Sequence, residues 1–171
     1  MDLSNLYTGD CEIILYDNKW IYPIFKAGWT GLQRVKEDSR VNNEITGTAG
    51  NIFVHIRDPH KRFVGAINKY SQIHNKPIPD ILERIQNNQL SDRHWLPQYN
   101  WLQHLSKYHD GDITLLDMHH LPFNSSVGEI PNKKPVQVLE QYVKADKILL
   151  TMCNTTTHIR NIIKEVNNVL S

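Results

Sequence analysis

The chain has 171 residues, 40% of them hydrophobic, and a formal net charge of +1. This length supports one core and is short for two ordinary domains, so we expect a single domain over residues 1–171. The nearly neutral charge excludes the strong field of a typical nucleic-acid-binding or membrane-surface protein.

Two cysteines, Cys11 and Cys153, are too few for a disulfide-dense scaffold or a four-cysteine zinc site, and they fit a reducing compartment. The amino terminus lacks a basic segment followed by a long apolar run, and no apolar stretch reaches about 18 residues. We therefore expect a soluble, cytoplasmic protein without stable membrane insertion.

The first elements in chain order are two β-rich runs, residues 12–16 and 20–25. The turn-forming pair Asp17-Asn18 separates them, which predicts a hairpin. A glycine-containing loop follows, and residues 32–37 have helical character. The order strand, glycine loop, helix is the one in which phosphate sites are built.

The rest of the chain alternates apolar runs with segments of helical periodicity. Core strands are predicted at 51–56 and 112–116, of which the first suits a buried parallel strand. Helices are predicted at 59–74, 79–89, about 135–143, and 159–170. This alternation predicts a three-layer α/β domain with a mainly parallel sheet.

The segment from Lys26 to Gly31 places a cation, two glycines and a hydroxyl where a strand meets a helix. Free N–H groups at a helix start can hold a phosphate, and Lys26 and Thr30 would add a charge and a hydrogen bond. A plain glycine turn is the alternative. A Walker A loop needs its lysine after the glycines, which disfavours a magnesium-dependent kinase or ATPase.

Arg57 follows the predicted strand 51–56 directly. A buried arginine is costly unless it meets an anion, and its planar fork suits a phosphate. The alternative is a surface pair of Arg57 with Asp58 that caps the next helix. Both interpretations stay open from this segment alone.

Together these segments resemble the donor-binding signatures of sulfotransferases. Residues 25–32 (FKAGWTGL) resemble the 5′-phosphosulfate segment, and residues 53–70 (FVHIRDPHKRFVGAINKY) resemble the 3′-phosphate segment. The likeness is greatest to carbohydrate sulfotransferases of the chondroitin and dermatan type. Residues 92–99 (DRHWLPQY) are similar to that family's His-Trp-x-Pro-Gln segment, and 121–126 and 142–146 are similar to its closing segments.

The resemblance implies a fold similar to that of nucleotide kinases, with 3′-phosphoadenosine 5′-phosphosulfate (PAPS) as the donor and no metal. The acceptor it implies is a hydroxyl, most simply on a carbohydrate. By position Arg57 would hold the 3′-phosphate. The 5′-phosphosulfate would lie against Lys26, Ala27, Gly28, Trp29, Thr30 and Gly31.

One position departs from the family pattern. Many members carry a serine eight residues after the arginine, where it binds the same phosphate, and here that position is Gly65. Arg62, Lys69 or Lys133 could compensate for the missing hydroxyl.

In-line sulfuryl transfer needs a base for the acceptor hydroxyl and a stabiliser of the leaving oxygen, for which Lys26 is the candidate. His94 is the first candidate base, with a packing role as the alternative. Glu37 is the second, since some sulfotransferases use a glutamate near the first loop. His55 is expected to be structural, and His119-His120 lacks a third ligand at metal spacing.

Three functions stay open at this stage: a sulfotransferase, a PAPS-binding protein without catalysis, and a nucleotide kinase as the least supported. The four tryptophans could include a sugar-stacking platform, but two or three of them are expected to fill the core. They are Trp20, Trp29, Trp95 and Trp101.

Overall fold

The computed structural model describes residues 9–25, 27–48, 50–118 and 137–171. Within them, six strands form one sheet in the order β3-β1-β2-β4-β5-β6. The strands are β1 (Glu12–Tyr16), β2 (Lys19–Ile21), β3 (Asp38–Val41), β4 (Ile52–Ile56), β5 (Asp112–Asp117) and β6 (Thr156–His158). The helices are α1 (Trp29–Val35), α2 (Asn43–Thr46), α3 (Pro59–His74), α4 (Ile78–Gln86), α5 (Gln98–Leu105), α6 (Gln137–Thr151) and α7 (Ile159–Leu170).

The predicted hairpin of β1 and β2 is confirmed. Asp17 and Asn18 both have positive φ, 49° and 57°, which gives the two-residue turn a twist that matches the strands. β2 ends at Ile21, earlier than predicted; Tyr22 N still donates to Phe53 O, and the next residue, Pro23, has no N–H to donate.

The sheet is mixed, so the prediction of a mainly parallel sheet is wrong, while the α/β class is confirmed. β2, β4 and β5 are parallel neighbours. The hairpin makes β1 antiparallel to β2, and the outer strands β3 and β6 also pair antiparallel. β3 and β6 were not predicted, because they are short and mostly polar.

Described helices pack on both faces of the sheet, as the layered prediction requires. On one face, β4 and β5 bury apolar side chains against α5, α6 and α7. On the other, Leu32 of α1 packs against Ile14 and Ile21. A smaller cluster joins α3, α4 and Trp95.

Most predicted helices are found close to their predicted bounds. α3 has those bounds, and the Asp58 carboxylate caps it by accepting a hydrogen bond from Lys61 N at 2.9 Å. α6 continues past the predicted end at 143, because Ala145 and Leu149 extend its buried face. Residues 135–136 lie outside the described residues. α5 and α2 were not predicted as helices.

No helix within the described residues is both long enough and apolar enough to cross a membrane. Cys11 and Cys153 are free thiols. Burial raises the pKa of Cys11 to about 12 and that of Cys153 to about 11, so both stay protonated at neutral pH.

Candidate functional site

The glycine loop and Arg57 lie at the same end of the sheet, where the parallel strands β2 and β4 have their carboxyl ends. β2 and β4 run parallel, with Trp20 opposite Ile52 and Ile21 opposite Phe53. Tyr22 N donates to Phe53 O at 2.9 Å just past the end of β2, and Arg62 Nε, from the helix that follows Arg57, donates to Phe25 O. The carboxyl ends of parallel strands are where open α/β sheets bind ligands. The structure therefore brings the two predicted phosphate segments to the carboxyl ends of neighbouring parallel strands.

The glycine loop makes a sharp turn from β2 into α1. Gly28 has φ 88° and ψ 7°, a left-handed conformation in which a side chain is strained, and it precedes the first residue of α1. Ala27 is buried, whereas Trp29 and Gly31 are half-buried and Thr30 is exposed. The glycine is thus required by the turn itself, which leaves the plain-turn alternative open.

Charge at this loop must come from side chains. α1 has seven residues, so its dipole is small, and among the described residues no side chain caps its start. Lys26, the predicted cation, lies outside the described residues, and its role stays a prediction.

Arg57 is buried, with 4% of its surface exposed. Burial lowers the pKa of its guanidinium, and the neighbouring Asp58 charge opposes that effect. Gln98 holds the main chain at this point, since its Oε1 accepts from Arg57 N at 2.9 Å and its Nε2 donates to Arg57 O at 2.8 Å. The capping alternative is right for Asp58, whose carboxylate accepts from Lys61 N, but Arg57 is buried and does not lie at the surface.

Arg62 is fully enclosed and connects two segments of the site. Its Nε donates to Phe25 O at 2.8 Å, and its Nη1 donates to Leu96 O. Burial lowers its pKa to about 10, with the Asp146 charge opposing and the Arg57 charge assisting. Because two of its donors bind main-chain carbonyls, Arg62 holds the glycine loop against the segment 92–97.

Of the positions tied to the missing serine, Gly65 is buried in α3 one turn after Arg62, on the same side of the helix. Lys69 is exposed. Lys133 lies outside the described residues. Of the three candidate cations, Arg62 is the one nearest to Gly65 along α3, but its Nε and Nη1 already donate to main-chain carbonyls.

His94 forms a short hydrogen-bonded pair with Asp92. Its Nδ1 lies 2.5 Å from Asp92 Oδ1, which also accepts from His94 N at 2.8 Å. Burial would raise the pKa of Asp92, but these bonds and the charges of His94 and Arg93 outweigh it and hold the pKa below its usual value. In the neutral imidazole with its proton on Nδ1, that proton faces the Asp92 carboxylate and Nε2 is an acceptor.

The His94 ring lies beside the glycine loop. It packs on the Phe25 ring at 5.0 Å between centroids, and the Arg93 guanidinium lies 4.7 Å from the same ring. Phe25 also contacts Trp29 and Trp101, each at 4.9 Å. The site therefore has an aromatic centre that links both segments.

Asp92 is a site residue that sequence reasoning missed as a partner of His94. The signal was present as an Asp-x-His spacing, but only a turn could bring the two side chains together, and residues 93–95 form that turn.

Glu37, the second candidate base, lies away from this edge. Its carboxylate accepts from Asp17 N at 3.2 Å, in the turn at the amino end of β2, and its N–H donates to Leu15 O. The glycine loop is at the opposite end of the same strand. The structure therefore brings His94, and not Glu37, to the glycine loop.

The remaining candidates divide between the core and undescribed segments. Trp95 and Trp101 are each 2% exposed and fill the core, as expected for two of the tryptophans. His55 is buried on β4, and His119-His120 lies outside the described residues. Among the residues described, no three His, Cys, Asp or Glu side chains form a group suited to a metal ion.

A shallow groove of about 390 Å³ lies elsewhere, between the end of α5 and α7. None of the candidate residues contributes to it. Its lining is Ser106, Arg160, Ile163, Lys164, Asn167 and Asn168.

Comparison of the chain with protein-family models, with curated proteins and with solved structures finds no match. Its function is therefore inferred from the residues gathered at the carboxyl edge of β2 and β4.

Proposed function

We propose that this chain is a sulfotransferase that passes the sulfuryl group of PAPS to an acceptor hydroxyl, with a carbohydrate as the acceptor class, and that its sheet is a variant of the sulfotransferase fold. One observation carries the proposal. The turn at Gly28, the buried Arg57 and the His94–Asp92 pair converge on one edge of the sheet.

The donor site combines two kinds of anion contact. Arg57 is desolvated, so its interaction with a phosphate is weakly screened by water, and it would hold the 3′-phosphate. The glycine loop, with Lys26 and the exposed Thr30, would hold the 5′-phosphosulfate. The resemblance of both segments to sulfotransferases supports this assignment over a generic phosphate site.

The chemistry follows from the position of His94. Its Nε2 would take the proton of the acceptor hydroxyl while that oxygen attacks sulfur in line. The bond between sulfur and the bridging phosphate oxygen breaks, and the negative charge stays on the departing 3′,5′-adenosine bisphosphate (PAP). Lys26 would stabilise that charge, and Asp92 would stabilise the protonated imidazole.

A donor-binding protein without catalysis is the second candidate, and Gly65 favours it, because no hydroxyl is available at that buried position. The two candidates differ in turnover. Transfer of labelled sulfate from PAPS to a panel of sugars, phenols and peptides, in the presence of a magnesium chelator, supports the enzyme. Nucleotide binding with no transfer to any acceptor supports the second candidate.

The donor site is tested by calorimetry with PAP. Lys26→Ala and Arg57→Ala each remove a charged phosphate partner, worth about 1.5–3 kcal/mol, so each should weaken binding by about 10- to 150-fold. Arg160→Ala is the matched control, because Arg160 pairs with Asp110 on the surface at the opposite edge of the sheet. Unchanged affinity in both folded variants would overturn the assignment.

A further inference from the structure

A buried hydrogen-bond network lies behind Arg57, built from side chains that are remote in sequence. Gln98 is 0% exposed, and Asp146 and Arg62 are each 2% exposed. Gln98 is on α5, Asp146 on α6 and Arg62 on α3, and none of these helices directly follows another of the three along the chain. Buried polar groups are costly unless each is satisfied, so this arrangement needs a physical explanation.

Gln98 fixes the peptide groups on both sides of Arg57. It accepts from Arg57 N at 2.9 Å and donates to Arg57 O at 2.8 Å, which reproduces the pairing of a neighbouring strand just where β4 ends. Holding both groups fixes the main-chain direction at this residue. The direction in which the Arg57 side chain leaves the sheet is set by that main chain.

Asp146 in turn holds Gln98. Its Oδ2 accepts from Gln98 N at 3.0 Å and from Gln98 Nε2 at 3.2 Å, and its Oδ1 accepts from Tyr99 N at 3.1 Å. The carboxylate thus caps the first turn of α5. It also requires the amide nitrogen of Gln98 on its own side, which leaves Oε1 to face the Arg57 N–H.

Arg62 acts on this network through its charge. Burial raises the pKa of the Asp146 carboxyl and the charge of Arg62 lowers it, while the Arg62 guanidinium itself donates to the carbonyls of Phe25 and Leu96. The two phosphate segments and the His94 segment are therefore fixed to one another through buried side chains rather than through their own surface residues.

We infer that Gln98 and Asp146 are positioning residues for Arg57, which set the direction of its guanidinium toward the 3′-phosphate of the donor. The inference rests on the proposed function for the identity of the ligand. The hydrogen bonds that carry it do not depend on that identity. A purely structural role would predict only a loss of stability when either residue is changed.

The first test needs no nucleotide. In Gln98→Met the side chain keeps its length but cannot accept from Arg57 N. Amide exchange followed by NMR should show the Arg57 N–H exchanging at least about tenfold faster relative to the amides of the preceding strand β4, which keep their strand partners. Gln103→Met is the matched control, since Gln103 is on the same helix and bonds the Tyr99 hydroxyl instead. Unchanged relative protection of Arg57 overturns the inference.

The second test measures the contribution of the 3′-phosphate, as the ratio of the Kd of AMP to that of PAP. Gln98→Met should lower this ratio by about tenfold and leave AMP binding nearly unchanged, because only the Arg57 contact is misdirected. In an Arg57→Ala background the same change should have no further effect, since the two residues act through one contact.

The outcomes separate the two claims. Equal losses for AMP and PAP, or effects that add to those of Arg57→Ala, overturn the positioning role while the donor site stands. If the wild-type chain binds neither nucleotide, the proposed function fails, and amide exchange alone decides whether Gln98 sets the Arg57 main chain. If Gln98→Met does not fold, Gln98→Asn, whose amide is too short to reach both groups, is measured by the same criteria.

Discussion

At the scale of single residues, the His94–Asp92 pair makes a specific prediction about catalysis. His94→Ala should lower turnover by about a hundredfold or more, the usual contribution of a positioned base, and leave PAP affinity nearly unchanged. Asp92→Asn should cause a smaller loss, because an amide oxygen can still accept from Nδ1. Steady-state rates and calorimetry measure both quantities.

Comparison of turnover with nucleotide affinity provides the control for this base. A base acts on the acceptor hydroxyl and not on the bound nucleotide, so the loss in His94→Ala should be confined to turnover. Loss of PAP binding together with turnover would instead show that His94 is a packing residue. If turnover survives His94→Ala and collapses in Glu37→Gln, the base is Glu37, even though its carboxylate lies at the far end of β2.

Gly65 allows a test in the direction of gained affinity. Gly65→Ser introduces a hydroxyl at this position, and if the proposed donor site is right, one added hydrogen bond should tighten PAP binding by about 0.5–1.5 kcal/mol. Gly47→Ser is the control, since an added Cβ there meets nothing closer than 3.9 Å and the site is remote from Arg57. Weaker binding by a folded Gly65→Ser would show that close main-chain approach matters more than the hydroxyl.

Site residues could be predicted from sequence where the signal was local. The turn at Gly28 and the strand end before Arg57 are encoded by neighbouring residues, and the structure has both. The roles of Gln98 and Asp146 could not be predicted, because their contact joins positions 48 residues apart. Nothing in a single sequence gives that distance.

At the scale of elements, the same distinction separates α3 from α5. α3 begins with its own signals, a capping Asp58 followed by Pro59, and its bounds were predicted. α5 begins after Pro97 without a local cap, since the carboxylate that caps it belongs to α6. No local signal in the sequence therefore predicts a helix that starts at Gln98.

The cap of α3 gives a prediction about stability. Asp58→Ala removes the acceptor for Lys61 N and should lower the free energy of unfolding by about 0.5–2 kcal/mol. Asp58→Asn keeps an acceptor oxygen and should cost less. Urea unfolding followed by circular dichroism measures both variants. Equal costs would mean that the negative charge beside Arg57, and not the capping bond, stabilises this junction.

At the scale of the whole molecule, the sheet shows which parts of a topology a sequence encodes. The parallel centre, β2 with β4 and β4 with β5, follows from apolar strands that alternate with helices. The antiparallel outer strands β3 and β6 have weak patterns of their own and form because partner strands offer free edges. The central strands β2, β4 and β5 could thus be predicted from the sequence, whereas the outer strands β3 and β6 could not. The site lies at the carboxyl ends of the central strands.

Acid stability is a whole-molecule property to which one buried histidine should contribute. His104 on α5 is 6% exposed. Burial lowers its pKa, the charge of Lys107 lowers it further, and a hydrogen bond with the Gly9 main chain opposes both. The folded protein therefore keeps this imidazole neutral at a pH where the unfolded chain has begun to bind a proton.

The sign of the effect follows from this difference in proton binding. As pH falls below about 6.5, His104 binds a proton in the unfolded chain but not in the folded protein. The free energy of unfolding should therefore decrease until the pH passes the folded-state pKa of His104. Urea unfolding at pH 7.5 and 5.5 should show this loss in the wild type and a smaller loss in His104→Gln, whose amide does not titrate. His74→Gln, on the exposed end of α3, is the control that should leave the loss unchanged. If His104→Gln keeps the full wild-type loss, the acid sensitivity of the fold originates at another group.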